Sequence, residues 1–253
     1  MVRKLSISLS IIVLAAVCIM IIGCGGGEST TGTLQFYANG EDFVRQGFIS
    51  KDGWIINFDH VYITLADINA YQTDPPYEPH SDDSINGQVT VSLDKVYTVD
   101  LAEGGEDALP IAVDEFQGAP AGHYNAISWK MVEAVSGPAV GSSLVMTGTA
   151  EKEGRVVDFT IKIDEECEYS CGEYVGDERK GMVADGNTVG LEMTFHFDHI
   201  FGDAETPLDD ALNLGAVGFE PFTDTAEGGQ IDINMTELHL GHVGEGHCHC
   251  ICE

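Results

Sequence analysis

Seven metal-seeking side chains crowd the last stretch of the sequence. Between Glu237 and Glu253 lie His239, His242, His247 and His249 together with Cys248, Cys250 and Cys252. Imidazole nitrogen and thiolate sulfur are the donors that zinc and copper ions prefer, and thiolate favours Cu(I) in particular. A second knot, Phe195-His-Phe-Asp-His199, offers His196, Asp198 and His199, and His60 beside Asp59 completes the candidate set. The expected ion is copper or zinc. A carboxylate such as Asp198 serves either as a ligand or as the group that orients a ligating histidine. For an isolated histidine the plainer reading is a solvent-facing ring or a partner for a carboxylate. That reading is preferred for His80, His123 and, taken alone, His60.

The cysteines carry a competing reading. Cys-x-Cys-x-Cys does not match a zinc finger, which wants roughly two to four intervening residues and a second pair. In an extended chain alternate residues are ~6.6–6.8 Å apart, the limit of disulfide reach, so neighbours there pair only with strain or in a turn. Cys167 and Cys171 either close a small loop with each other, or one of them pairs with a tail cysteine such as Cys252 and pins the terminus down. One or two disulfides are expected, leaving the histidines and one thiol for metal. No Gly-x-Ser-x-Gly, His-Glu-x-x-His, phosphate-cradling glycine loop or nucleotide fingerprint occurs, so no catalytic residue is assigned and an enzyme is not expected.

The amino terminus says where this chemistry would take place. Arg3 and Lys4 precede an apolar run over residues 5–22 that ends Ile21-Ile22-Gly23-Cys24. This resembles the lipobox of bacterial lipoprotein signal peptides, in which the signal (residues 1–23) is removed and the cysteine, here Cys24, carries the lipid. The alternative is a membrane-spanning anchor, for which ~18 apolar residues is just enough. The small residue before Cys24 and the glycine-rich tether over 24–32 favour lipidation. Gly25 in place of aspartate favours the outer membrane, so the expected location is the bacterial cell envelope with the membrane as a partner. Loss of Arg3 and Lys4 reduces the 11 basic residues to 9 against 42 acidic ones, a formal charge of −33 on the mature chain. Such a field repels nucleic acid and anionic lipid and attracts cations. With Cys18 removed and Cys24 lipidated, five cysteines remain, an odd number, so at least one thiol stays free, binds metal or pairs between chains.

Positioning falls to β structure. Leu34, Phe36 and Ala38 alternate with polar neighbours, as do Val61, Ile63 and Leu65, and further strands are expected over 88–93, 96–101, 123–135, 143–151, 155–163, 189–197 and 230–240. Residues 72–87 read as an exposed loop, 164–187 as an acidic turn region, and Pro207–Leu212 as the one short helix. Many short strands with turn-rich links argue for an all-β domain over 33–240, an immunoglobulin-like or jelly-roll antiparallel β-sandwich, followed by the His/Cys-rich tail 241–253. If 189–198 and 230–240 are antiparallel neighbours, His196, Asp198 and His239 face one another at ~4.5–5.5 Å between Cβ atoms.

At Phe58-Asp-His-Val-Tyr-Ile-Thr-Leu65, Phe195-His-Phe-Asp-His-Ile-Phe-Gly202 and Gly241-His242 to His247, the chain resembles the methanobactin-associated periplasmic copper-binding proteins and several bacterial β-sandwich lipoprotein families. The resemblance implies an immunoglobulin-like sandwich, a histidine-rich copper site and a partner haem oxidase that modifies a tryptophan, for which Trp54 and Trp129 are the only candidates. The Cys-x-Cys-x-Cys terminus departs from that pattern. The expected function is an envelope lipoprotein that binds a transition metal for sequestration, delivery or sensing, with a periplasmic redox or metal-trafficking protein as partner. The alternative is a structural or adhesive surface module whose tail cysteines staple the C-terminus.

Overall fold

The computed structural model describes residues 30–81, 84–172, 180–224, 226, 228–235 and 248–252. Alternation dictates the first element. β1 (Thr31–Asn39) alternates half-buried and buried positions throughout, with Leu34, Phe36 and Ala38 fully buried, because successive strand side chains point to opposite faces. The chain continues through α1 (Glu41–Gln46), β2 (Phe48–Ile49), β3 (Ile55–Gln72), β4 (Val89–Leu93), β5 (Tyr97–Asp100), β6 (Ile111–Pro120), β7 (Gly122–His123), β8 (Ala126–Met131), β9 (Leu144–Lys152) and β10 (Arg155–Ile163). It then forms β11 (Cys167–Cys171), β12 (Met182–Val183), β13 (Thr188–Thr194), α2 (Asp198–Phe201), α3 (Ala211–Gly215), α4 (Glu220–Thr223), β14 (Gln230–Met235) and β15 (Cys248–Cys252).

The fold is an all-β sandwich, as expected, but its sheets are mixed. A three-stranded sheet has the order β13-β1-β6, and a larger one runs β14-β10-β9-β3-β8-β11-β15 with β2, β4 and β5 also paired to β3. Two pairs are parallel, β1 with β13 and β10 with β14, so a purely antiparallel sandwich is corrected. The same finding separates β13 from β14: they lie in different sheets, and among the described residues the expected pairing of 189–198 with 230–240 does not form. Parallel partners are distant in sequence and carry no hairpin signal, which is why spacing alone points to the wrong neighbour.

Further elements differ from expectation. Cys167–Cys171 is a strand rather than part of a turn region, and Ile111–Pro120 is a strand that none of the expected spans covers. β6 is an edge strand with its proline at the last position, a place where a missing N–H costs the ladder nothing. The short helix begins at Ala211, four residues later than the motif around Pro207, because the Asp210 carboxylate accepts from Leu212 N at 3.0 Å and caps it.

One hydrophobic cluster joins the two sheets, from Leu34 and Phe36 of β1 to Trp129 of β8 and Ile161 of β10. Its aromatic end gathers Phe58, Phe159, Phe201, Phe219 and Phe222, with ring centroids 5.5–6.4 Å apart. The helical corner over 198–224 is tied to this end by polar groups. Asp52 accepts from Phe219 N and Glu220 N at 2.8 and 2.7 Å, at the start of α4. Buried Asn213 accepts from Asp203 N and donates to the carbonyls of Asp203, Thr206 and Pro207. Among the described residues no helix is long and apolar enough to cross a membrane.

Removing either kind of tie has a definite cost. Phe219→Ala is expected to lower stability by about 3–5 kcal/mol, transfer and cavity terms together, and Asn213→Ala by about 1–3 kcal/mol through its stranded carbonyls. Both are measured by urea unfolding of the mature domain, and an Asn213→Ala cost near zero would contradict the role given to its amide.

Candidate metal centre and the cysteine ladder

The donors that come together are those of the second knot. The strand expected to run to Phe197 stops at Thr194, and Asp198–Phe201 forms a helical turn. Burial explains the switch. Phe195, Phe197, Ile200 and Phe201 are all buried, and burial at 197, 200 and 201 follows helical spacing where a strand would alternate. His199 N donates to the His196 carbonyl at 3.2 Å, Gly202 N to the Asp198 carbonyl at 2.6 Å, and Gly202 leaves the turn at φ 70°, a conformation that favours glycine.

On a strand His199 would face away from His196 and Asp198. The turn brings it round, so that one donor atom from each of His196, Asp198 and His199 lies within 4.8 Å of the other two. The imidazole centroids are 5.6 Å apart, and the Phe43 ring of α1 lies 6.5 Å from that of His196. All three donors are half-buried. Asp198 Oδ1 is shielded from solvent and accepts no hydrogen bond among the described residues. A carboxylate oxygen so placed is costly, by ~1–3 kcal/mol or more, until a positive group meets it. Two imidazoles and a carboxylate can hold zinc or copper. Three protein donors leave a tetrahedral ion one position for water or an incoming ligand.

None of the other candidates among the described residues joins this trio. His60 Nδ1 lies 2.7 Å from Asp100 Oδ2, and its ring stacks on Tyr62 at 5.1 Å. It is the carboxylate's partner, and it is absent from the cluster it was expected to complete. His249 is exposed on β15. Cys24, His239, His242 and His247 lie outside the described residues.

The cysteines form a ladder. β15 runs antiparallel to β11 with Cys248 opposite Cys171, Cys250 opposite Tyr169 and Cys252 opposite Cys167. Alternate residues share a strand face, so three sulfurs of one strand meet a Cys, Tyr, Cys row on the other. The outer rungs are disulfides, Cys171–Cys248 and Cys167–Cys252, with Cα atoms 4.0 and 4.1 Å apart. Pairing across the strands removes the distance problem that pairing along one strand would face. Cys248, a candidate ligand by sequence, is therefore spent in a disulfide, and the small Cys167–Cys171 loop does not form. Closing a chain separation of 77 or 85 residues, the first bridge contributes about 4–5 kcal/mol in the chain-entropy account, and the second, which then closes only a short nested loop, contributes less.

Cys250 is the free thiol among the described residues. Burial pushes it up to about 11 against the opposing hydrogen bond from Tyr169, and the nearby Glu165 charge adds to the rise. Tyr169, almost wholly buried, is itself held well above the usual phenol range by burial, with Cys250 contributing. Its ring stacks on Trp129 at 5.2 Å. Trp129 and Trp54 are each 1% exposed, and Trp54 Nε1 donates to Glu220 Oε2 at 2.8 Å. Both indoles are closed to solvent.

No family model matches this chain, and neither a curated protein nor a solved structure is significantly similar to it.

Peptide mapping under non-reducing conditions is expected to return the 167–252 and 171–248 links. Iodoacetamide should label Cys250 slowly at neutral pH, with a rate that climbs about tenfold per pH unit toward 11. A rate that levels off near the ordinary thiol value of about 8.5, or a 167–171 link, contradicts this geometry.

Proposed function

We propose that this chain is a lipid-anchored protein of the bacterial cell envelope that binds a transition metal ion, copper or zinc, through His196, Asp198 and His199. The observation that carries the reading is the convergence of these three donors within 4.8 Å, with Asp198 Oδ1 buried and accepting no hydrogen bond among the described residues. Imidazole suits both ions, and the carboxylate supplies the negative charge that a divalent cation needs in a half-buried place. An open coordination position suits sequestration, delivery or sensing, where the ion must enter and leave. The net charge of −31 on the full sequence raises the local concentration of cations and gives any redox or metal-trafficking partner an electrostatic handle.

Two disulfides support a compartment outside the cytoplasm, in keeping with the lipobox-like Ile21-Ile22-Gly23-Cys24. They also favour the second reading, a surface module stapled through β11 and β15 that needs no metal.

Metal content separates the two. The mature chain, purified without chelators or a histidine tag, is expected to carry or take up about one copper or zinc ion. His196→Ala with His199→Ala should abolish the uptake, Asp198→Asn should weaken it ~10–100-fold, and the metal should raise the melting temperature of the parent chain alone. No uptake after reconstitution, or uptake unchanged by these substitutions, leaves the stapled module.

A further inference from the structure

The middle rung of the ladder has a chemistry of its own. Cys250 Sγ lies 3.6 Å from Cys252 Sγ, which is already bonded to Cys167. The sulfurs of Cys167, Cys250 and Cys252 all fall within 4.8 Å of one another. A thiolate–metal bond of about 2.3 Å places the sulfurs of a tetrahedral or trigonal site about 3.8–4.0 Å apart. Cys250 and Cys252 are thus close to that spacing, while Cys167 and Cys252, now joined in their bond, must separate to reach it once the bond is broken. Strand register keeps the three together, since Cys250 and Cys252 share one face of β15 and Cys167 stands opposite Cys252 on β11. Only the covalent bond between two of the sulfurs keeps the set from acting as ligands.

We propose that Cys167, Cys250 and Cys252 form a reduction-gated site for a soft thiol-seeking ion, Cu(I) above all, separate from the histidine–aspartate centre. A dithiol reductant transfers two electrons and two protons to the Cys167–Cys252 bond, and itself becomes a disulfide. The bond breaks, and three thiols stand where one stood. Cu(I) binding then displaces their protons, since the thiolate is the ligand. Thiolates select Cu(I) over harder ions, and the reductant that opens the site also keeps copper in the Cu(I) state. In the oxidised chain the trio offers a single thiol and holds no ion. Reduction of one rung need not release β15, because Cys171–Cys248 is a second, independent staple.

The test uses the full mature chain under argon. Samples are left oxidised or treated with a limiting amount of a dithiol that is then removed. Their thiols are counted and mapped so that chains with only the Cys167–Cys252 rung open are compared, and Cu(I) is titrated in competition with a chromophoric Cu(I) chelator. The reduced chain is expected to withdraw one Cu(I) that the oxidised chain does not. Cys250→Ser breaks neither disulfide and should fold as the parent does, yet its reduced form should bind that Cu(I) at least tenfold more weakly. Cys171→Ala with Cys248→Ala, which keeps the trio, should retain the reduction-dependent uptake. His196→Ala with His199→Ala should retain it too, which separates this site from the centre proposed above. Equal Cu(I) binding by reduced parent and reduced Cys250→Ser overturns the proposal, as does equal binding by oxidised and reduced parent. If the Cys171/Cys248 variant does not fold, the Cys250→Ser comparison decides alone.

Discussion

Backbone pairing along β3 is the constraint on which the architecture rests. Eighteen residues must find partners for their amides and carbonyls on both sides. On one side β9 pairs with Ile55–Ile63 and β8 with Leu65–Tyr71; on the other β2, β5 and β4 follow one another along the strand. Two irregularities, at Phe58/His60 and at Ala66/Asn69, let so long a strand bend while keeping Val61, Ile63, Leu65 and Ile68 in the core. From β3 the large sheet extends in two arms, β9-β10-β14 and β8-β11-β15. The second arm ends on the cysteine ladder, so its disulfides fasten the outermost strand of a sheet whose centre is β3.

The histidine–aspartate trio owes its position to the smaller sheet. β13 is held parallel to β1 in an unbroken register from Thr33↔Thr188 to Asn39↔Thr194, and the chain leaves that pairing directly into the trio. Phe195 and Phe197, stacked with centroids 6.3 Å apart, anchor the turn from beneath. Phe195 also meets Trp129 edge-on at 5.8 Å, and Trp129 stacks on Tyr169 beside Cys250. Continuous aromatic packing thus runs from the donor turn to the ladder. Close-packed interiors transmit strain, so the two ends share one rigid wall while their donor chemistry stays distinct, nitrogen and oxygen at one and sulfur at the other.

How much of this the sequence reveals depends on whether the cause is local. Alternation is local, and it marks Leu34–Ala38 and Val61–Leu65 correctly. Partner choice is not local: nothing near Val189 names β1, and nothing near Ile231 names β10. β11 is hidden although Glu168 and Ser170 alternate regularly with its buried residues, because two of those three inward residues are cysteines, which read as bonding groups before they read as a strand face. The need for pairing among five thiols is visible, whereas the connectivity requires the register of β11 with β15. The donor knot His196, Asp198, His199 stands out by composition. Its geometry does not, because two periods compete there, and the burial of Ile200 and Phe201 that decides for a helical turn is a property of the folded core.

The most direct test of the account is X-ray absorption spectroscopy at the metal edge of the oxidised mature chain loaded with one equivalent of copper or zinc. The account requires nitrogen and oxygen neighbours with the outer-shell scattering of two imidazole rings, and no sulfur. A first shell containing sulfur, or one without imidazole scattering, would contradict assignment of the metal to His196, Asp198 and His199.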